Sequence, residues 1–232
     1  MKHQHVTEAH GEKGGCVKPY FETENGKLYH GDCMDILPHI EPVDLVLTDP
    51  PYGINIGGQK TIGSNKKAFC KEYGKHTWDK EIPSNIAFEL MFIKSKHQII
   101  FGGNYFVEYL KNSPCWIVWD KQTSGNFADC ELAWTNFKTA VRKFEYLWNG
   151  MIKLKKEKRY HPTQKPVGLF TQILLKYSEK NQTVLDPFLG SGTTALACEE
   201  LNRKWIGIEI SEKYCEIAAK RIENETKQMR LF

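Results

Sequence analysis

The 232-residue sequence has no Cys-x-x-Cys pair, and its seven cysteines (Cys16, Cys33, Cys70, Cys115, Cys130, Cys198 and Cys215) are odd in number. This argues against a disulfide framework and against a zinc site, so a reducing cytoplasm and no bound metal are expected. There is no apolar run near the roughly 20 residues that span a bilayer, so no membrane association is expected. The N-terminus lacks the charged, apolar, small-residue order of a secretory signal. Internal repeats and low-complexity tracts are also missing. What is there is ordinary for a folded domain. With 41% hydrophobic and 26% charged residues, a chain this long buries enough surface to fold without cross-links.

Net charge is only +4, but it is unevenly placed. Lys138 to Arg159 holds eight basic residues against Glu145 and Glu157, and Lys60 to Lys80 holds six lysines against Glu72 and Asp79. The rest of the chain is therefore net acidic. Such polarity suits a protein that meets a polyanion with one face, although two solvated lysine-rich loops would look the same. If the partner is nucleic acid, Lys66 and Lys67 in one segment, and Lys138, Arg142, Lys143, Lys155, Lys156 and Arg159 in the other, are the candidate phosphate contacts.

Residues 1–26 are polar and aperiodic, with His3, His5 and His10. They read as a loosely packed leader rather than a metal site. From Lys27 onward strands and helices alternate. Val43–Thr48 is an apolar strand ended by Asp49-Pro50-Pro51-Tyr52-Gly53, since proline cannot donate to a sheet. Residues 53–80 form a long glycine- and lysine-rich loop of the length that is usually functional. Ser84 is a candidate N-cap for a helix with Ile86, Leu90 and Ile93 on one face. Further strands are expected at His97–Phe101, Cys115–Trp119 and Val141–Trp148, and a helix at Val167–Tyr177. Thr183–Asp186 and Lys204–Ile210 are strands flanking one more helix. Ser211 caps a last one, whose apolar face is Tyr214, Ile217, Ala218 and Ile222. The alternation predicts an α/β domain with a mostly parallel sheet covered on both sides.

Gly190-Ser191-Gly192-Thr193-Thr194-Ala195 sits between a strand and a helix and has the Gly-x-Gly-x-x-Gly/Ala form of nucleotide-binding turns. Glu209 ends the next strand, where a carboxylate can accept hydrogen bonds from ribose hydroxyls. By itself the turn could serve NAD or be merely tight. Two details disfavour a dinucleotide. Four residues, Asp186-Pro187-Phe188-Leu189, separate strand and first glycine, and Asp186 would repel a pyrophosphate. An acidic turn suits a ligand that carries an ammonium and a sulfonium but no phosphate, as S-adenosylmethionine does.

Asp49-Pro50-Pro51-Tyr52 is the most informative tetrapeptide. The exocyclic amine of a base attacks poorly because its lone pair is delocalised into the ring. Two acceptors aimed at its hydrogens, the Asp49 carboxylate and the Pro50 carbonyl, would localise that pair. The two prolines remove competing N–H donors and stiffen the turn. Tyr52 can stack on an extruded base, an effect worth ~1–3 kcal/mol. Taken alone, the same four residues would also make a proline-rich turn after a buried strand.

The two motifs together resemble the beta class of DNA amino-methyltransferases, which modify adenine N6 or cytosine N4. The catalytic motif precedes the cofactor motif, as in that class, and Gly31-Asp32 and His161-Pro162-Thr163-Gln164-Lys165-Pro166 match it as well. The resemblance covers Lys27 to Glu223. It implies a Rossmann-like, circularly permuted, seven-stranded sheet with one antiparallel strand. It also implies S-adenosyl-L-methionine as cofactor, double-stranded DNA as substrate, and base flipping. Asp49, Pro50, Pro51 and Tyr52 would be catalytic. Asp32, Thr163, Lys165, Asp186, Phe188, Gly190, Ser191, Gly192, Thr193 and Glu209 would hold the cofactor, with Thr163 and Lys165 at its methionine end. Asp at the first catalytic position points to adenine. Residues 27–232 then form one methyltransferase domain with recognition elements at about 53–80 and 121–160, the latter mixing Trp134, Phe137, Phe144, Tyr146 and Trp148 with basic residues. At least half of those aromatics are expected in the core. A homodimer and a partner restriction endonuclease are candidate partners.

Other readings keep part of this picture. Cytosine N4, RNA or a protein glutamine amide could be the acceptor, although glutamine enzymes favour Asn where this chain has Asp49. A silent DNA-binding protein is disfavoured because every acidic and glycine position of the motifs is filled. An NAD enzyme would leave Asp49–Tyr52 unexplained.

Overall fold

Strands β3 (Val43–Thr48) and β4 (Ser95–Phe101) form because their β-branched and aliphatic residues alternate between two buried layers. Leu45, Leu47, Ile99 and Phe101 face one core, while Val46 and Ile100 face the other. The computed structural model describes residues 17–54, 81–122, 128–149, 152–153, 159–160 and 163–229. Leader residues 1–16 and loop residues 55–80 therefore lie outside the described residues.

In chain order the other strands are β1 (Phe21–Glu22), β2 (Gly26–His30), β5 (Trp116–Asp120), β6 (Cys130–Thr135), β7 (Arg142–Glu145), β8 (Trp148–Asn149), β9 (Ile152–Lys153), β10 (Thr183–Asp186) and β11 (Lys204–Glu209). The main sheet has the order β1-β2-β11-β10-β3-β4-β6-β5-β7. Its central seven strands, β2 to β5 in that order, are parallel except β6, which runs against both β4 and β5. That is the expected architecture, widened at its edges by antiparallel β1 and parallel β7. β8 and β9 form a separate antiparallel pair.

Helices α3 (Val167–Tyr177), α4 (Thr193–Glu200) and α5 (Glu212–Met229) supply the first core layer, and α1 (Cys33–Ile36) and α2 (Asn85–Ile93) the second. α4 is buried on almost every side because it lies between α3 and α5. Ser84 does cap α2, accepting from the Ala87 N–H at 3.3 Å. The face differs from the spacing-based expectation. Ala87, Phe88 and Met91 are buried, while Ile86 and Ile93 are 57% and 72% exposed. Phe88 packs on Phe106 and Tyr109, and this aromatic contact sets the rotation of the helix.

Three further differences follow from tertiary packing. The polar leader ends earlier than residue 26, because Asn25-Gly26 closes a hairpin that places β1 on β2. Val141–Trp148 is not one strand, because it is split into β7 and β8. The described part of residues 121–160 is not given over wholly to inserted recognition elements, because it supplies β6 and β7 to the main sheet. Their aromatics belong to the core. Trp134 is buried in the second layer and Tyr146 and Trp148 in the first, against which Phe137 and Phe144 pack.

Candidate active site

The chain turns in opposite directions after β10 and β3. β10 leads through α4 to β11 on one side, and β3 leads through α2 to β4 on the other. A crevice opens outside the carboxyl ends of neighbouring parallel strands at such a switch point. Here it is a cavity of about 600 Å³, with Asp49 and Tyr52 at one end, Asp32 and Glu209 at the other, and Lys165 and Asp186 also on its wall.

Asp186 ends β10 and is buried. Its carboxylate accepts from the Thr48 hydroxyl at 2.6 Å, the Thr194 hydroxyl at 2.5 Å and the Phe188 N–H at 3.1 Å. Burial raises its pKa to about 6, against the opposing pull of these hydrogen bonds. Asp186 therefore fixes the turn from inside while bringing negative charge to the cavity. The turn itself needs its glycines, since Gly190 and Gly192 have φ of 55° and 91°. Glu209 ends β11 and accepts from the Gly190 and Ser211 N–H groups, each at 2.8 Å. Burial lifts its pKa to about 7.

The remaining expected cofactor positions gather around this turn. Asp32 caps α1, accepting from the Met34 N–H at 2.8 Å, and lines the cavity with Thr163 and Phe188. The Ser191 hydroxyl donates to Gln164 at 3.2 Å, and the Thr193 hydroxyl donates to the Lys165 carbonyl at 3.2 Å. Arg221, from α5, donates to the Ser191 carbonyl and hydroxyl at 2.6 and 3.0 Å and lies over the Tyr160 ring. Gln164 and Arg221 thus brace the turn. Gln164 belongs to the His161–Pro166 stretch but has no role legible from sequence, and Arg221 does not stand out because a helix arginine carries no motif of its own.

Asp49 and Tyr52 occupy the other end. The Tyr52 hydroxyl donates to Asp49 Oδ1 at 2.5 Å. The Tyr52 ring stacks on Tyr105 at 4.8 Å and 14°. It also rests against Gly102, where a Cβ would lie 2.2 Å from the ring. The Lys165 side chain is found here rather than at the cofactor turn. Its Nζ lies 2.5 Å from Asp49 Oδ2, 3.2 Å from Glu131 Oε2 and 3.3 Å from the Tyr52 hydroxyl. Glu131, on β6, also pairs with Lys121 at 2.7 Å. Burial raises the Asp49 pKa, and Lys165 only partly offsets it. Burial works against the Lys165 ammonium, but Asp49 and Glu131 outweigh it and hold Lys165 above its ordinary range. A lone acid heading the otherwise uncharged Cys130–Thr135 stretch is the one sequence signal for Glu131.

Among the described residues, the expected DNA contacts are not brought together. Lys66, Lys67, Lys155 and Lys156 lie outside the described residues. Lys138 follows the end of β6, and Arg142 starts β7, so both sit at the amino end of the parallel strands, away from the cavity. Lys143 is exposed and pairs with Glu145 at 2.5 Å and Asp120 at 3.4 Å. Arg159 directly precedes Tyr160, beside the cofactor turn. Among the described residues, no cluster of His, Cys, Asp and Glu could hold a metal, and no helix is long and apolar enough to cross a membrane.

A family model described as DNA methylase matches residues 131–220. The type II methyltransferase M2.LlaDCHI of Lactococcus lactis subsp. cremoris is 29% identical, over 89% of this chain and 92% of that protein. The type II methyltransferase M2.MboI of Moraxella bovis is 26% identical, over 91% and 96%. Among solved structures, the M1.HpyAVI–SAM complex aligns with a TM-score of 0.57 at 26% identity, over 84% of this chain and 99% of that one. The cytosine-N4-specific PvuII DNA methyltransferase shares the fold, with a TM-score of 0.59 at 17% identity over 91% and 94%. These likenesses run through nearly the full length of the chain, and what the chain is similar to at both ends of the crevice is a group of DNA methyltransferases.

Proposed function

We propose that this chain transfers a methyl group from S-adenosyl-L-methionine to the N6 amine of an adenine flipped out of double-stranded DNA. The observation that carries this is the placement of Asp49 and Tyr52 in the same cavity as Asp186, Gly190 and Glu209. When bound, S-adenosylmethionine supplies an electrophilic methyl carbon on a sulfonium that leaves as a neutral thioether. The residues present fit it. A cavity of about 600 Å³ with acids along its length suits an ammonium, a sulfonium and a ribose, and among the described residues the basic side chain on its wall, Lys165, is already paired with Asp49 and Glu131.

Asp49 and the Pro50 carbonyl accept hydrogen bonds from the two amine hydrogens and direct the nitrogen lone pair out of the ring plane. Asp49 is also the nearest base for the proton that the nitrogen sheds once it carries the methyl group. Tyr52, seated on Gly102 and parallel to half-exposed Tyr105, gives the base an aromatic stack to join. Glu209 and Asp32 meet the ribose and adenine of the cofactor. Asp186, Phe188, Ser191, Gly192, Thr193 and Thr163 shape the rest of its pocket. A homodimer, a cognate restriction endonuclease and a cytoplasmic location accord with this reading, and sedimentation of the purified chain tests the first.

The test is methyl transfer from labelled S-adenosylmethionine to unmodified genomic DNA, followed by nucleoside mass spectrometry. N6-methyladenine is the expected product. N4-methylcytosine would keep the mechanism and overturn the choice of base. Cofactor binding without any DNA product would overturn the substrate.

A further inference from the structure

A row of alternating charges runs away from the catalytic carboxylate. Asp49, Lys165, Glu131 and Lys121 succeed one another at 2.5, 3.2 and 2.7 Å. Lys165 is nearly enclosed, its side chain 6% exposed, with its ammonium 5.5 Å from the ring centroids of both Tyr52 and Phe101. Four elements meet there: the turn after β3, the end of β4, the start of β6 and the segment leading into α3.

This geometry poses a problem for the amine. Both Asp49 oxygens are engaged, one by the Tyr52 hydroxyl and one by the Lys165 ammonium. A charge-assisted hydrogen bond is roughly twice as strong as a neutral one, so a neutral amine competes poorly with an ammonium held by Asp49 alone. Removing that ammonium outright would strand a buried cation, which is costlier still. Glu131 resolves this, because it holds a second carboxylate 3.2 Å from the Lys165 ammonium.

We propose that Glu131 is a positioning residue for methyl transfer that acts through Lys165, sharing its ammonium with Asp49 so that the catalytic carboxylate can release it when the base amine arrives. This rests on the assignment of Asp49 as the amine acceptor. The charged and titratable groups around Asp49 are Tyr52 from its own turn, Lys165, Glu131 from β6 and Asp186 from β10. Tyr105 stands behind Tyr52, and Lys121 behind Glu131. Glu131 and Lys165 act on Asp49 with opposite sign, Glu131 disfavouring its ionised form and Lys165 favouring it.

The experiment measures single-turnover methyl transfer against pH for the wild-type chain, E131Q, K165Q, E131D and D49N, with cofactor affinity by calorimetry. In E131Q the ammonium belongs to Asp49 alone. The rate at neutral pH falls by about tenfold or more, as when a supporting contact of a reacting group is lost. Its acidic limb moves to lower pH, while that of K165Q moves to higher pH. E131D recovers most of the rate, and cofactor affinity in E131Q stays at the wild-type value. A structural clamp would lower thermal stability and active fraction without driving the two limbs apart. E131Q at the wild-type rate, or limbs that do not separate while D49N is inactive, would overturn the role of Glu131. Sustained transfer by D49N would instead overturn the assignment of Asp49.

Discussion

The Thr48 hydroxyl donates to Asp186 Oδ1 at 2.6 Å and so ties the end of the catalytic strand to the end of the cofactor strand. Both residues are buried, and β3 and β10 are neighbours in the sheet. The two motifs lie far apart in sequence, yet one hydrogen bond keeps them in register across the crevice.

Thr48→Val keeps the shape and removes that donor. A hydrogen bond to a charged group contributes about 1.5–3 kcal/mol, so stability in urea should fall by about that much. Cofactor affinity should fall with it, because the Asp186 turn loses one of its anchors. Denaturant titration and calorimetry check both effects.

Asp49→Ala should abolish methyl transfer while leaving cofactor binding intact. Asp49 sits at the Tyr52 end of the cavity, and the glycine turn is held by Glu209, Asp186 and Arg221 instead. Normal turnover by this variant would sink the mechanism.

The buried acids give apo stability and cofactor binding opposite pH trends. Glu209 and Asp186 are raised to about 7 and about 6 from ordinary values of 4.5 and 3.8. Between those limits the folded protein holds protons that the unfolded chain has released. Their contribution to stability is therefore complete at low pH and is lost as pH rises through about 6 and then about 7. The cationic cofactor prefers the ionised acids, so its affinity should rise over the same interval, by up to about tenfold per pH unit for each proton released. Glu209→Ala should weaken binding and flatten the upper part of that rise. Melting scans and calorimetry across pH 5.5–8 check the pair of trends.

Gly102→Ala attacks Tyr52 without touching it in sequence. Gly102 has φ of 69°, and a Cβ there would fall 2.2 Å from the Tyr52 ring. The left-handed backbone alone costs about 1–2 kcal/mol for a side chain. The displaced ring should lower the single-turnover rate while the cofactor dissociation constant stays unchanged.

Much of this site is legible in the sequence because its two turns are chemically unusual. Two prolines after an apolar strand, and two glycines behind an acid, each have few structural explanations, and β3 and β10 fall where those signals place them. β6 is harder to see. Cys130-Glu131-Leu132-Ala133-Trp134-Thr135 lacks alternation, since its later half is buried without interruption. With β6 unseen, Glu131 has no place beside Asp49, and nothing local to Lys165 indicates that its ammonium would reach the catalytic end. The face of α2 is misjudged for a related reason. Most of the helix is apolar, so periodicity alone offers more than one stripe, and the contact with Phe106 selects Phe88. Basic residues close together in sequence separate in space because β6 and β7 leave Lys138 and Arg142 at the amino end of the parallel strands, while Arg159 precedes Tyr160 beside the cofactor turn.

Lys165 also belongs to both halves of the crevice. Its carbonyl receives the Thr193 hydroxyl from the cofactor turn, and its ammonium reaches Asp49. One residue thus joins the glycine turn to the carboxylate proposed to receive the base amine. A substitution that removes the Thr193 hydroxyl is therefore expected to register at the Asp49 end as well as at the turn.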